Sequence, residues 1–225
     1  MELTILYEDE YLIAVHKPTG IHVHPSDFSR NEISLLEQLK DEYGGWFAPA
    51  HRIDRATSGI VLFARDNKTA SAMGELFSQR KVSKRYIALV RGYLPEQGTI
   101  ITGSTETFDL SETRYSVIGK VELPFKVNNH PTVRYSLVEV TPITGRRHQI
   151  RRHFSSLSHP IIGDVKYGDG KHNQLFRDQF DIQRLLLFAV ELQFQHPFKD
   201  IPIVINTEVE EEIRLVFEQF GWVWK

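Results

Sequence analysis

The chain contains no cysteine. Disulfide scaffolds, thiolate metal sites and a cysteine nucleophile are therefore excluded. Long apolar runs are missing as well. The longest without a charge, Leu185 to Val190, has six residues, against the roughly 20 that a membrane-spanning helix needs. The N-terminus, Met-Glu-Leu-Thr-Ile-Leu-Tyr-Glu-Asp-Glu, is acidic at once and too short in apolar length for a secretory signal. Gly-x-Gly-x-x-Gly and a phosphate-binding loop are absent, so no bound nucleotide cofactor is expected. Thr57-Ser58-Gly59 is not the Gly-x-Ser-x-Gly elbow of a serine hydrolase. His22 and His24, with His51 and Asp54, are the only grouping suggestive of metal ligands, and no His-Glu-x-x-His accompanies them; no metal is expected. What is present, 225 residues at 41% hydrophobic and 25% charged, is globular in character. The expectation is a soluble, cytoplasmic, monomeric protein of one domain (1–225), with an irregular insertion at about 96–131 and no separate domain before Leu3.

A formal charge of -2 does not announce a nucleic-acid partner, but the charges are unevenly placed. From Leu76 to Arg91 there are five cations (Arg80, Lys81, Lys84, Arg85, Arg91) and no acid. From Thr144 to His153 there are four arginines (Arg146, Arg147, Arg151, Arg152) with His148 and His153, again without an acid. Local density, more than net charge, sets the field that a phosphate backbone meets. Solvated surface is the other reading of such runs.

Short β-prone runs at Leu3–Tyr7 and Tyr11–Val15 flank Glu-Asp-Glu and predict a hairpin. Asn31 predicts the cap of a helix reaching about Tyr43, with Ile33, Leu35, Leu36 and Leu39 as its apolar stripe and Gly44-Gly45 as its end. Ile60–Ala64 suits a buried strand. Asn67 predicts the cap of a second helix with Ala70, Met73, Leu76 and Phe77 on one side. Tyr86–Val90 and Thr132–Thr141 read as strands, the latter losing its alternation at Leu137-Val138. Arg147–Leu157 predicts a helix opened by Gly145, Leu185–Phe194 a strand or short buried helix, and Glu208–Phe220 a terminal helix. Strands and helices intermingle without strict alternation. The fold class is therefore α+β, with a mixed, mostly antiparallel sheet and flanking helices.

The densest polar cluster, His51-Arg-Ile-Asp-Arg-Ala-Thr-Ser-Gly59, is a loop feeding the buried strand. Asp54, between Arg52 and Arg55, suits an ionised nucleophile or electrostatic stabiliser, or else a structural turn or ion pair. Tyr86, amid cations, is either core or a surface on which a base stacks. If the second basic segment is helical, Arg147 and Arg151 share a face one turn apart with Arg152 beside them. An arginine turned inward needs a buried acid, for which Asp54 is the evident candidate.

Four ordered segments resemble the RluA-type pseudouridine synthases: Lys17-Pro-Thr-Gly-Ile-His-Val-His24, His51 to Gly59 (with Ile53 where leucine is usual), Lys84-Arg-Tyr-Ile-Ala-Leu-Val-Arg-Gly92, and Thr144 to His153 followed by His159-Pro-Ile-Ile-Gly-Asp164. The Arg-Arg-His ending, Tyr167–Asn173 and Gln-Phe-Gly-Trp222 are similar to the family's branch that modifies uridine 65 of tRNA. The resemblance implies that Asp54 is the nucleophile, attacking sugar or base or assisting elimination. It further implies Arg151 as the inward salt-bridge partner of Asp54 (Arg146 is the runner-up) and Tyr86 stacked on the uracil, able to move a proton. Arg52 would fill the gap left by the everted base or hold the displaced backbone, while His51 and Thr57 shape the loop. Arg147, Arg152, Lys81, Lys84 and Arg85 would meet phosphates. The reaction needs no cofactor. The alternatives are the same chemistry on ribosomal RNA, a non-catalytic RNA-binding protein, and an aspartate-nucleophile glycosidase, which wants a second carboxylate ~5 Å away. Asp164 is the residue to check for that role.

Overall fold

A computed structural model describes residues 3–25, 32–103 and 110–222. In chain order the elements are β1 (Ile5–Glu8), β2 (Leu12–Lys17), α1 (Leu35–Tyr43), β3 (Ala48–Pro49), β4 (Ser58–Ala64), α2 (Asn67–Ser78) and β5 (Ser83–Arg91). There follow β6 (Gln97–Thr102), β7 (Ser111–Leu123), β8 (Val133–Pro142), α3 (Gln149–Ser156), α4 (Gly170–Phe180), β9 (Leu187–Gln195), β10 (Pro202–Asn206) and α5 (Glu211–Gln219). The class is α+β, and contacts group the residues into two compact units, Met1–Lys84 with Ala189–Glu208 and Arg85–Phe188 with Val209–Lys225. Among the described residues no helix is long and apolar enough to cross a membrane.

The first unit is built on the strand order β1-β2-β4-β9, with β10 added on β9 and β3 on β4. The Glu-Asp-Glu hairpin forms as expected: Asp9 Oδ1 accepts the N–H groups of Tyr11 and Leu12 at 2.8 Å each, closing the turn between β1 and β2. All seven residues of β4 are buried, which explains a run without alternation. The β2–β4 register pairs Leu12 with Ala64 and ends with Lys17 opposite Gly59. Helix α1 is capped by Ser34, in a capping box with Glu37. The expected cap, Asn31, lies outside the described residues, and Ile33 precedes the helix and is exposed. Helix α2 is capped by Asp66, one residue before the expected Asn67, because the Asp66 carboxylate accepts the Thr69 N–H at 2.7 Å. Its Met73 enters a core of Leu12, Ile60, Leu62, Leu192 and Phe194.

The second unit is built on the antiparallel order β5-β8-β7-β6. The stretch 96–131, expected to be irregular, is largely the β6–β7 pair. Its alternation escapes notice because the buried positions of β7 begin with Ser111, Thr113 and Tyr115, not with aliphatic residues. The broken period at Leu137-Val138 has a structural counterpart. There β7 makes a register shift between Val117 and Gly119, so two residues of one strand meet the step from Val138 to Leu137. The segment before Asp164 runs along β5, where Ile162 donates to the Leu89 carbonyl at 2.9 Å.

Candidate functional site

In the first unit the loop around Asp54 is tied to the turn that leaves β2. Lys17 ends a buried strand and is itself fully buried. Its ammonium donates to the carbonyl oxygens of Pro18, Ile21 and Arg55 at 2.8, 2.9 and 3.1 Å. Three further bonds cross between the same segments: Thr19 Oγ1 to the Ala56 carbonyl (2.8 Å), Gly20 N–H to the Arg55 carbonyl (2.8 Å), and Arg55 Nε to the Gly20 carbonyl (2.7 Å). The loop turns at Asp54, whose carbonyl accepts the Thr57 N–H at 3.0 Å. Asp54 is partly buried, Thr57 is buried and Arg52 is exposed. Arg55 Nη2 bonds Glu32 at 2.7 Å. Gly59, at φ +115°, begins the strand so close to Ala189 that any side chain would collide with that residue's backbone.

His51 lies behind this loop against Phe77, ring centroids 5.2 Å apart. Its Nε2 accepts the Leu62 N–H at 3.1 Å, which places the ring proton on Nδ1. Burial, helped by the positive charge of Lys84, pushes the imidazole pKa down to about 3, so His51 is neutral and structural. Lys84 is partly buried, and burial lowers its own pKa. Among the expected phosphate contacts, Lys84 and Arg85 are the two partly withdrawn from water. Lys81, Arg146, Arg147 and Arg152 are exposed, and Arg85 pairs with Glu139 at 3.1 Å.

In the second unit Tyr86 lies partly buried on β5, opposite Val140 of β8. The expected helix from Arg147 begins only at Gln149, because His148 adopts the left-handed region (φ +54°). Buried Gln149 organises this turn. Its Oε1 accepts from Thr144 Oγ1 (2.7 Å) and Arg146 N–H (3.0 Å), while Nε2 donates to the Glu112 carbonyl and Thr113 Oγ1, both at 2.9 Å. Arg147 consequently precedes α3 and does not share a helical face with Arg151. Arg146 is exposed. Arg151 is buried and meets Asp164 in a two-pronged ion pair: Nε to Oδ2 at 2.7 Å and Nη2 to Oδ1 at 2.9 Å. The guanidinium also lies 5.3 Å from the centre of the Tyr167 ring. Asp164 Oδ1 accepts the N–H groups of Lys166 and Tyr167 at 2.9 and 3.0 Å. Burial opposes the charge on Asp164, but Arg151 and those two N–H groups outweigh it and hold the carboxyl below its ordinary range.

A family model described as RNA pseudouridylate synthase matches residues 11–156. The chain belongs to the RNA pseudouridylate synthase family. A protein of Vibrio vulnificus named tRNA pseudouridine synthase C is 42% identical over 98% of this chain and 96% of its own length. Its namesake in Vibrio parahaemolyticus is 41% identical over 99% and 96%. Among solved structures, human RNA pseudouridylate synthase domain containing 4 superposes with a TM-score of 0.74 at 22% identity, covering 96% of this chain and 92% of the other. Human RNA pseudouridylate synthase domain containing 1 gives 0.71, also at 22%, over 99% and 96%. These two likenesses concern the fold.

Membership in a pseudouridylate synthase family gives the well-held Asp54 loop a chemical context and leaves three residues that sequence reasoning missed. Lys17 stood in a quoted motif without a role; a lysine closing the run Leu-Ile-Ala-Val-His was the available signal. Gln149 carried none, since the partners of its Nε2 that tie it to β7 are 36 and 37 residues away. Asp164 was considered only as a second glycosidase carboxylate. It is ionised and already accepts four hydrogen bonds, so it lacks the proton a general acid must give. Among the described residues no three His, Asp or Glu side chains gather as metal ligands would.

Proposed function

We propose that this protein is an RNA pseudouridine synthase that isomerises a uridine of tRNA, at position 65, acting as a cytoplasmic monomer. The observation that carries the reading is similarity of about 40% over nearly the whole length of relatives named tRNA pseudouridine synthase C. In this reaction the bond from ribose C1′ to uracil N1 breaks and one from C1′ to C5 forms. N1 ends with a proton and C5 loses one, so nothing is oxidised and no cofactor is consumed.

Asp54 is the nucleophile in this reading. Its task requires an ionised carboxylate on a loop that does not yield, and the four bonds between the 17–21 turn and Arg55–Ala56, with two more from Lys17 inside that turn, support the rigidity. Tyr86 stacks on the uracil and moves the proton. Arg151 belongs to the catalytic set in this reading, its fork oriented by Asp164. Arg52 fills the space left by the everted base or holds the displaced strand, and unstacking that base costs a few kcal/mol. Exposed Arg147 and Arg152 bind phosphates and position the RNA without reading its sequence.

The test is to treat tRNA and ribosomal RNA transcripts with the pure protein and map the modified base. Pseudouridine at position 65 of tRNA is the expected result; modification confined to ribosomal RNA transfers the chemistry to that substrate. Asp54→Asn should lower turnover by on the order of 10^4-fold or more while tRNA binding survives. Turnover retained in that variant would remove Asp54 from the nucleophile role.

A further inference from the structure

We infer that Val165 is an apolar wedge that inserts into the base stack of the RNA this enzyme modifies. The inference rests on the RNA reading above and adds a substrate contact to it. Val165 is 89% exposed, beyond every other large hydrophobic side chain described, the next being Ile33 at 61%. A single exposed valine ordinarily needs no explanation. This one differs in being mounted on a backbone that is held from every side.

Asp164 precedes it and accepts the N–H groups of the two residues that follow, Lys166 and Tyr167. Asn173 donates to the Asp164 carbonyl at 2.9 Å and accepts the Gly163 N–H at 2.8 Å. Ser155 Oγ donates to the Tyr167 carbonyl at 2.9 Å, and His148 shares a 3.0 Å bond with the Tyr167 hydroxyl. Gly163, at φ +79°, has no room for a side chain against the Arg184 carbonyl. An exposed tip on a mobile loop would fold back onto apolar surface. Here the loop is fastened at both ends and Val165 is held out into water.

The surroundings name the partner. Lys166 is exposed beside the wedge, and Arg152 is exposed on α3. That helix is bolted to the same loop through Arg151–Asp164 and Ser155–Tyr167. The nearby acids are committed, Asp164 to Arg151 and Asp169 to Arg91. An apolar tip beside an exposed lysine, on a rigid mount joined to an arginine-bearing helix, suits a polyanion whose interior is flat and apolar, which is stacked nucleic acid. Side chains of this kind are wedged between base steps by proteins that unstack nucleic acid.

The experiment compares Val165→Ser and Val165→Leu with wild type on two tRNA transcripts, one with the target uridine in its paired stem and one with that pair replaced by a mismatch. On the paired stem, Val165→Ser should lose about tenfold in kcat/KM, mainly in kcat, because it no longer offsets part of the unstacking cost. On the mismatched transcript the loss should shrink below about twofold, and Val165→Leu should keep near wild-type rates on both. The salt dependence of tRNA binding should not change, since no charge is removed. Val165→Ser unimpaired on both transcripts, or equally impaired on both, overturns the wedge while leaving the proposed function intact. A wild-type protein that leaves tRNA unmodified overturns the function, and the wedge with it.

Discussion

Lys17 and Arg151 are both buried cations, one in each compact unit, and they are satisfied in different ways. Lys17 points its ammonium at three backbone carbonyls from two separate segments. Arg151 sets its planar fork against the carboxylate of Asp164. The first arrangement fastens main chain to main chain, so it fixes the shape of the loop that carries Asp54. The second orients a side chain, because two parallel N–H···O bonds leave a guanidinium little rotational freedom. They also differ towards acid. Carbonyl oxygens are not protonated in accessible solution, whereas a carboxylate is.

The sharpest way to break this comparison is Lys17→Met. It keeps the apolar stem and strips three carbonyls of a buried donor, which should cost about 4 kcal/mol in urea denaturation. A cost below about 1 kcal/mol would mean that water or a neighbour replaces the ammonium easily. Asp164→Asn comes next, leaving Arg151 buried with half its partner, at about 3 kcal/mol. It should also alter the acid response in a defined direction. The folded-state pKa of Asp164 lies below the ordinary carboxylate value of 3.8, so the pair's contribution is complete above 3.8 and lost as pH falls through the lower, folded value. Denaturation curves at successive pH values should show that part of the acid loss missing from Asp164→Asn and present in Lys17→Met.

The smallest effect concerns His51. Its folded pKa is about 3 against the ordinary imidazole value of 6.5, so between those values the unfolded chain takes up the proton and the folded one refuses it. Stability should therefore fall as pH drops below 6.5, by up to about 1.4 kcal/mol per pH unit, with no contribution above 6.5. In His51→Gln this slope should flatten. Melting temperatures from about pH 8 to about pH 4.5 would decide it, and an unaltered slope would remove His51 as its source.

Local pattern was enough to place the β1–β2 hairpin, the buried strand β4, the helix around Met73 and the polar loop between His51 and Gly59. Each rests on neighbours within a few residues: Asp9 on Leu12, a Gly where only Gly fits, apolar positions one turn apart. The β6–β7 pair and β10 were missed because their buried positions are either small and polar, as at Ser111 and Thr113, or too few, as at Ile203 and Ile205. Helix α4 was missed because its composition, Gly-Lys-His-Asn-Gln, is polar over the first turn and a half, and what secures it is Asp169 at its cap. The start of α3 was misplaced by two residues because Gln149, not Gly145, sets the turn.

By itself the sequence determined the order of the chemically loaded segments and the residue types they present: an aspartate on a loop before a buried strand, a tyrosine among cations, and an arginine-rich stretch without acids. These are properties of composition and spacing, legible without knowing what touches what. Tertiary structure alone decided that Lys17 is buried, because only the β2–β4 register brings it opposite Gly59 and within reach of the Arg55 carbonyl. It likewise decided that Asp164 braces Arg151, and that Val165 stands clear of the surface. A charge's partner depends on which segments the fold folds together, and spacing along the chain does not encode that.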